Sequence, residues 1–209
     1  MHSGWTTVDP TNSLNHTHAL SRRGATCWTS LEQRRLLDAC RQPPAYLRPL
    51  VLMGLRTGLR LGHLLNLQWR HVDLTRGRIQ IPAEEVAAGC VLDLSIDIDT
   101  RGVLEQLLQM ACKSGTPQRR VFDAVGLPLW NGRPEHHAVL AAFRTARRRA
   151  GLPEGNFDSL RLSFARNCAK ACVPISYPLR IGDWDEPALV QKVYAEFMPT
   201  AGLHLFRKV

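Results

Sequence analysis

The stretch LRTGLRLGHLLNLQW, Leu55 to Trp69, sets a charged Arg60 between two leucine-rich runs. Gly58 permits a tight turn there, and Arg60 then opens a helix whose leucines bury one side of it. A guanidinium at the edge of an apolar core costs free energy unless it meets an anion. The residues alone allow two partners, an internal carboxylate or a bound phosphate.

Upstream, TSLEQRRLLDAC (29–40) reads as a helix. Thr29 and Glu32 form a capping-box pattern, and Leu36, Leu37 and Cys40 follow at helical spacing. Pro43-Pro44 breaks it, and YLRPLVLMGLRTG begins a second helix. A third follows, with Leu61, Leu64, Leu65 and Trp69 as its apolar stripe. The period then changes. RIQIP (78–82) reads as a strand, and Cys90, Leu92, Leu94, Ile96 and Ile98 alternate with mostly polar neighbours over a second one. AEEVAAG between them is a hairpin connection. Helical spacing returns in TRGVLEQLLQMACK and ends at SGTPQ, and RRVFDAVGLPLW holds a further short strand. From Pro134 to Met198 the pattern is helical, broken at GLPEGN and CVPISYP. The expected fold class is therefore α+β, mainly α with a small antiparallel β-sheet inserted early.

Residues 1–26 are polar and without period, which predicts a flexible N-terminal tail or linker remnant. Residues 27–198 form the expected folded domain, and PTAGLHLFRKV (199–209) a C-terminal tail that frays or docks on a neighbour. The chain has 209 residues, 44% hydrophobic and 22% charged, enough for one sizeable core. No apolar run reaches the ~18 residues of a membrane span. The start of the chain lacks a signal-peptide pattern, which predicts a cytoplasmic protein. Six cysteines without a paired CxxC pattern predict reduced, mostly buried thiols; Cys168 and Cys172 share one face of a helix. The adjacent His136 and His137 diverge by about 100° on a helix and have no further ligand at suitable spacing, so no metal site is expected.

Charge is more informative. A net charge of +9, carried by 23 arginines and 4 lysines, points to a polyanionic partner. Arg144, Arg147, Arg148 and Arg149 form one run that serves either as a solvated helix end or as a DNA-backbone contact.

Three segments carry a family resemblance. TGLRLGHLLNLQWRHVDLTRGRIQIP resembles the first signature block of the tyrosine recombinases, or phage integrases. DSLRLSFARNCAK is similar to that family's second block, with Arg161 as its arginine, and IGDWDEPALVQKVYAEF to its third, with Tyr194 as its tyrosine. The resemblance implies the family's catalytic-domain fold over about residues 28–198 and site-specific DNA recombination or integration without a cofactor. Arg60 and Arg161 would hold the non-bridging phosphate oxygens while the Tyr194 oxygen attacks phosphorus, giving a 3′-phosphotyrosyl bond and a free 5′-hydroxyl. It also implies double-stranded DNA as partner, a homotetramer on paired sites, a nucleoid-associated protein of a bacterium or phage, and a separate N-terminal DNA-clamping domain.

Several positions depart from the family pattern. His63 replaces the acidic residue three after Arg60, and Ala87 stands where the hairpin lysine belongs. Asp158 replaces the first histidine, and Asp183 the second, unless the adjacent Trp184 fills that role. Each missing proton-transfer group typically costs about 10²–10⁴-fold in rate. The departures also imply an alternative, an integrase-like DNA-binding protein that kept the fold and lost the chemistry.

Overall fold

A computed structural model of the chain describes residues 26–113, 119–152, 155–182, 184 and 186–199. The chain enters α1 (Ser30–Ala39) through the expected capping box, in which Thr29 and Glu32 satisfy each other's backbone N–H groups. Next comes α2 (Leu47–Thr57), eleven residues that would be marginal alone in water. Packing stabilises it, since Leu47, Leu50 to Leu55 and Thr57 are all buried. A left-handed Gly58 ends α2, and Arg60 is the N-cap of α3 (Leu61–Leu65).

That helix is shorter than its leucine spacing suggests. Asn66 caps it, its side chain donating to the Gly62 carbonyl at 2.9 Å. The chain then turns extended to pair with residues around Arg120, so Trp69 opens a separate 3-10 turn (Trp69–His71) rather than extending the stripe.

Strands β1 (Val72–Asp73), β2 (Arg78–Ile81) and β3 (Leu92–Ser95) form an antiparallel sheet in sequence order. Ile79 faces Leu94 and Ile81 faces Leu92, all four buried, while Arg78 and Gln80 are exposed. The alternating pattern from Cys90 to Ile98 overshoots at both ends. Cys90 is exposed outside the strand, and Ile98, 86% exposed, already belongs to α4 (Ile98–Lys113). Asp97 makes the switch: its carboxylate accepts the Thr100 N–H at 2.8 Å and its carbonyl accepts from Arg101.

Strands β4 (Leu129–Trp130) and β5 (Arg133–Pro134) form a separate two-residue-turn hairpin before α5 (His136–Arg149). Helices α6 (Asp158–Lys170), α7 (Ser176–Gly182) and α8 (Pro187–Phe197) complete the eight α-helices among the described residues. The expected break at 172–178 is narrower, because Pro178 falls in the first turn of α7, where its missing N–H costs no helical bond.

Helix α6 is buried on almost every side and separates two cores. α2 packs on one flank of it, in a core that includes Trp28, Leu50, Met53, Phe143 and Leu160. α8 packs on the other, around Leu162, Ala165, Cys168, Val190 and Tyr194. All six cysteines are free, but only Cys40 and Cys168 are buried, which corrects the expectation of mostly buried thiols. Cys172 lies beyond the end of α6, with a positive φ of 55°, and does not share its face with Cys168.

The turn at Gly58 is demanding. Its φ of +68° disfavours other residues by about 1–2 kcal/mol, and a Cβ there would lie 2.4 Å from the Phe164 ring. Gly58→Ala is therefore expected to lower stability by about 2 kcal/mol or more in urea unfolding. Gly102→Ala, in the middle of α4 with open space around it, should raise stability by about 0.5–1 kcal/mol. A Gly58→Ala protein as stable as the parent would contradict this account of the turn.

Candidate active site

Helix α6 carries Arg161 into the space between α2 and α7. The residue is only 4% exposed, and every donor nitrogen is engaged. Nε donates to the Gly58 carbonyl at 3.1 Å, one terminal nitrogen donates to Asp158 at 2.9 Å, and the other donates to the Gly182 carbonyl. Trp184 closes the remaining side, its ring 4.3 Å from the guanidinium carbon, and its own N–H donates to the Pro178 carbonyl at 2.8 Å. A Cβ on Gly182 would lie 2.0 Å from the Trp184 indole nitrogen, so only glycine lets the ring fold back over Arg161.

This arrangement joins two signature segments that lie 101 residues apart. The Arg161 guanidinium is bonded to Gly58, whose Cα lies within about 7 Å of the Arg60 Cα two residues on. Arg60 is half-buried at the start of α3. From the first turn of α3 runs a cleft of about 360 Å³ lined by Gly62, His63, Asn66, Gln68, His71 and Glu85. His71 accepts the Gln68 N–H through Nδ1 at 3.3 Å and turns Nε2 toward Glu85 at 3.4 Å. Burial, more than any other cause, holds its imidazole below the usual pKa. Ala87 lies on the exposed turn between β2 and β3.

Tyr194 is placed elsewhere. Its phenol is 4% exposed and donates to the Val173 carbonyl at 3.0 Å, beyond the C-terminal end of α6. Nine helical residues separate Arg161 from that end, about 14 Å of rise. In-line attack needs reacting atoms about 3–3.5 Å apart, so the phenol in this arrangement is not within reach of a phosphate held at Arg161. Burial, with a smaller contribution from Cys168, pushes the phenol well above its ordinary pKa.

Of the arginine run, Arg144 and Arg148 are exposed on α5 and Arg147 is half-buried. Arg149 donates to the Ala39 carbonyl at 3.2 Å and so caps the C-terminus of α1. Asp183 lies outside the described residues. The motifs did not single out Arg166, a second buried arginine on α6, which donates to the Trp28 carbonyl and stacks 4.6 Å from the centre of the Phe197 ring.

The family model described as "Phage integrase family" matches residues 28–199. The chain belongs to the phage integrase family. Among its relatives is the integrase of Salmonella phage P22, 28% identical over 177 residues, covering 80% of this chain and 43% of that protein. This family member thus spans less than half the length of that curated relative. Its fold is that of the XerA recombinase structure, with a TM-score of 0.65 and 20% identity over 86% of this chain and 62% of XerA. It is likewise similar to a lambda integrase tetramer bound to a Holliday junction, with a TM-score of 0.62 and 17% identity over 80% of this chain and 47% of that one.

All three tyrosines have raised pKa values, chiefly through burial. A phenol whose folded pKa exceeds its unfolded value of about 10 contributes stability below pH 10 that is lost as pH rises through the folded value. Phenolate absorbance at 295 nm is expected to rise only above pH 10, together with unfolding. A tyrosine ionising near pH 10 in a protein that is still folded would contradict the buried placements.

Proposed function

We propose that this chain is the DNA-cutting part of a site-specific recombinase, with Arg60 and Arg161 as the phosphate clamp and Tyr194 as the nucleophile. The observation that supports this reading is the bond from Arg161 to Gly58, which sets the guanidinium of one family arginine against the turn that leads into the other. Guanidiniums suit the step because negative charge grows on the non-bridging oxygens as the phenol oxygen attacks. A bond forms between the Tyr194 oxygen and phosphorus, and the phosphorus–O5′ bond breaks. The phenol gives up its proton, the 5′-oxygen takes one and leaves as a hydroxyl, and a second 5′-hydroxyl reverses the step on a new strand. Tyr194 must first leave Val173, which requires α8 to move relative to α6.

The same reading takes residues 27–198 as the catalytic unit. The tails expected at 1–26 and 199–209 lie almost wholly outside the described residues. Arg144, Arg147 and Arg148 are proposed as supporting contacts to the DNA backbone, with Trp184 holding Arg161 in place and Asp158 occupying the donor that a phosphate would take. Assembly as a tetramer on paired sites has a parallel in the lambda integrase tetramer on a Holliday junction. A DNA substrate fits a cytoplasmic, nucleoid-associated protein, and among the described residues no helix is long and apolar enough to cross a membrane.

One observation favours a second reading, DNA binding without cleavage. Asp158 sits 2.9 Å from an Arg161 nitrogen, so a phosphate oxygen would compete with its carboxylate for that donor. Ala87 adds to it, offering no proton to a leaving oxygen.

A nicked suicide duplex taken from the DNA flanking the chain's own gene separates the two readings. The recombinase reading expects a covalent protein–DNA adduct that Tyr194→Phe abolishes and Asp158→His increases at least tenfold. DNA binding with no adduct from either the parent or Asp158→His would overturn it in favour of the second reading.

A further inference from the structure

The segment 119–121 is bonded edge-on to residues 67–69. The Trp69 N–H donates to the Arg119 carbonyl at 3.2 Å, and the Val121 N–H donates to the Leu67 carbonyl at 2.8 Å. This pairing fixes Arg119 and Arg120 beside the β4–β5 hairpin. The hairpin turns through Asn131 and Gly132, both at positive φ, which sets Trp130 opposite Arg133. Arg120 donates to the Gly132 carbonyl at 2.6 Å and so braces the tip. The result is a cleft of about 510 Å³ lined by Asn66, Gln68, Arg119, Arg120, Arg133 and His136.

Little in this cleft offsets its charge. Among the described residues, the carboxylate paired with these arginines is Asp123, 3.6 Å from Arg120. Glu135 is turned into the first turn of α5, accepting the His137 and Ala138 N–H groups. Arg119 donates to the neutral Gln68 side chain at 3.0 Å. Trp130, paired across the hairpin with Arg133, is 72% exposed, and Leu129 before it is 48% exposed. A solvent-facing indole opposite one of three arginines that line a single cleft fits neither a folding core nor a plain solvated surface.

Asn66 and Gln68 also line the smaller cleft that begins at His63, three residues from Arg60. The cationic cleft therefore adjoins the smaller one, whose lining includes residues that closely follow Arg60 in the chain.

We infer that the cleft between the 119–121 segment and the β4–β5 hairpin is a second DNA-backbone site, in which Arg119 and Arg133 take phosphates and Trp130 packs on the deoxyribose beside them. The inference rests on the reading of the chain as a DNA-acting protein, and it adds a contact surface that the motifs do not contain. The arginine chemistry is independent of base sequence, because guanidiniums on phosphate oxygens carry no base information.

The test is a salt titration of binding to a 30-base-pair duplex of arbitrary sequence, with the probe length set to about three helical turns. Each phosphate contact contributes about 0.9 to the slope of log K against log salt. Arg119→Ala with Arg133→Ala is expected to reduce the slope by about 2 and to weaken binding at least tenfold. Trp130→Ala should weaken binding several-fold at every salt concentration with the slope unchanged, since it removes no charge. All three positions lie at the protein surface, and circular dichroism of the variants verifies the fold. Arg120 is left in place because it braces the hairpin.

An unchanged slope in the double variant, with the parent still binding, would overturn the inference and leave the recombinase reading standing. A parent chain that binds no duplex at low salt would overturn both.

Discussion

A buried guanidinium must have its donors satisfied, and Arg161 meets that requirement by drawing two segments onto α6 and pairing with a carboxylate on α6 itself. It holds the carbonyl of the α2–α3 turn at Gly58, the carbonyl at the end of α7 at Gly182, and the carboxylate of Asp158 one turn back on its own helix. Hydrogen bonds to a charged group contribute about 1.5–3 kcal/mol each, and stranding a buried partner costs more than the bond gains. Both carbonyl-bearing residues are glycines for stated reasons. Gly58 needs a left-handed backbone beside Phe164, and Gly182 needs room for the Trp184 ring. Packing, backbone and charge thus converge on one side chain.

The same arrangement shapes the chemistry. Arg161 braces the fold and also belongs to the proposed phosphate clamp, so a phosphate approaching it competes with Asp158 for the same nitrogen. Tyr194 is held at the opposite end of α6 by its bond to Val173 and by the apolar cluster around Val190 and Val193. The hydroxyl bond contributes about 1 kcal/mol, less than the burial of the ring and its neighbours. Freeing the phenol is therefore mainly a matter of exposing apolar surface on α8. A surface that is re-covered against another element or another copy of the chain would offset that cost.

Much of this was legible in the residues. The capping box at Thr29 and Glu32, the glycine turn at 58 and the two-residue period of β2 follow from local rules. Other features were not legible. The strand period continued to Ile98 because Leu, Ile and Cys alternate there regardless of structure, whereas Asp97 capping the next helix ends the strand. The direction of the Tyr194 phenol depends on the carbonyl left by the turn at Cys172, which no spacing encodes. The run at 144–149 stood out because its arginines are adjacent, yet Arg149 is occupied at the end of α1. The cleft at Arg119, Arg120 and Arg133 was invisible because three separate segments build it.

The most direct measurement of the central constraint is the equilibrium unfolding of Arg161→Met, which keeps the stem of the side chain and removes its charge and donors. The Gly58 and Gly182 carbonyls lose their partner, and Trp184 loses the cation beneath its ring. A loss of about 3 kcal/mol or more is predicted, with proteolytic cleavage appearing first in the 58–60 turn. A variant as stable as the parent, with that turn still protected, would contradict the view that this one buried guanidinium holds the site together.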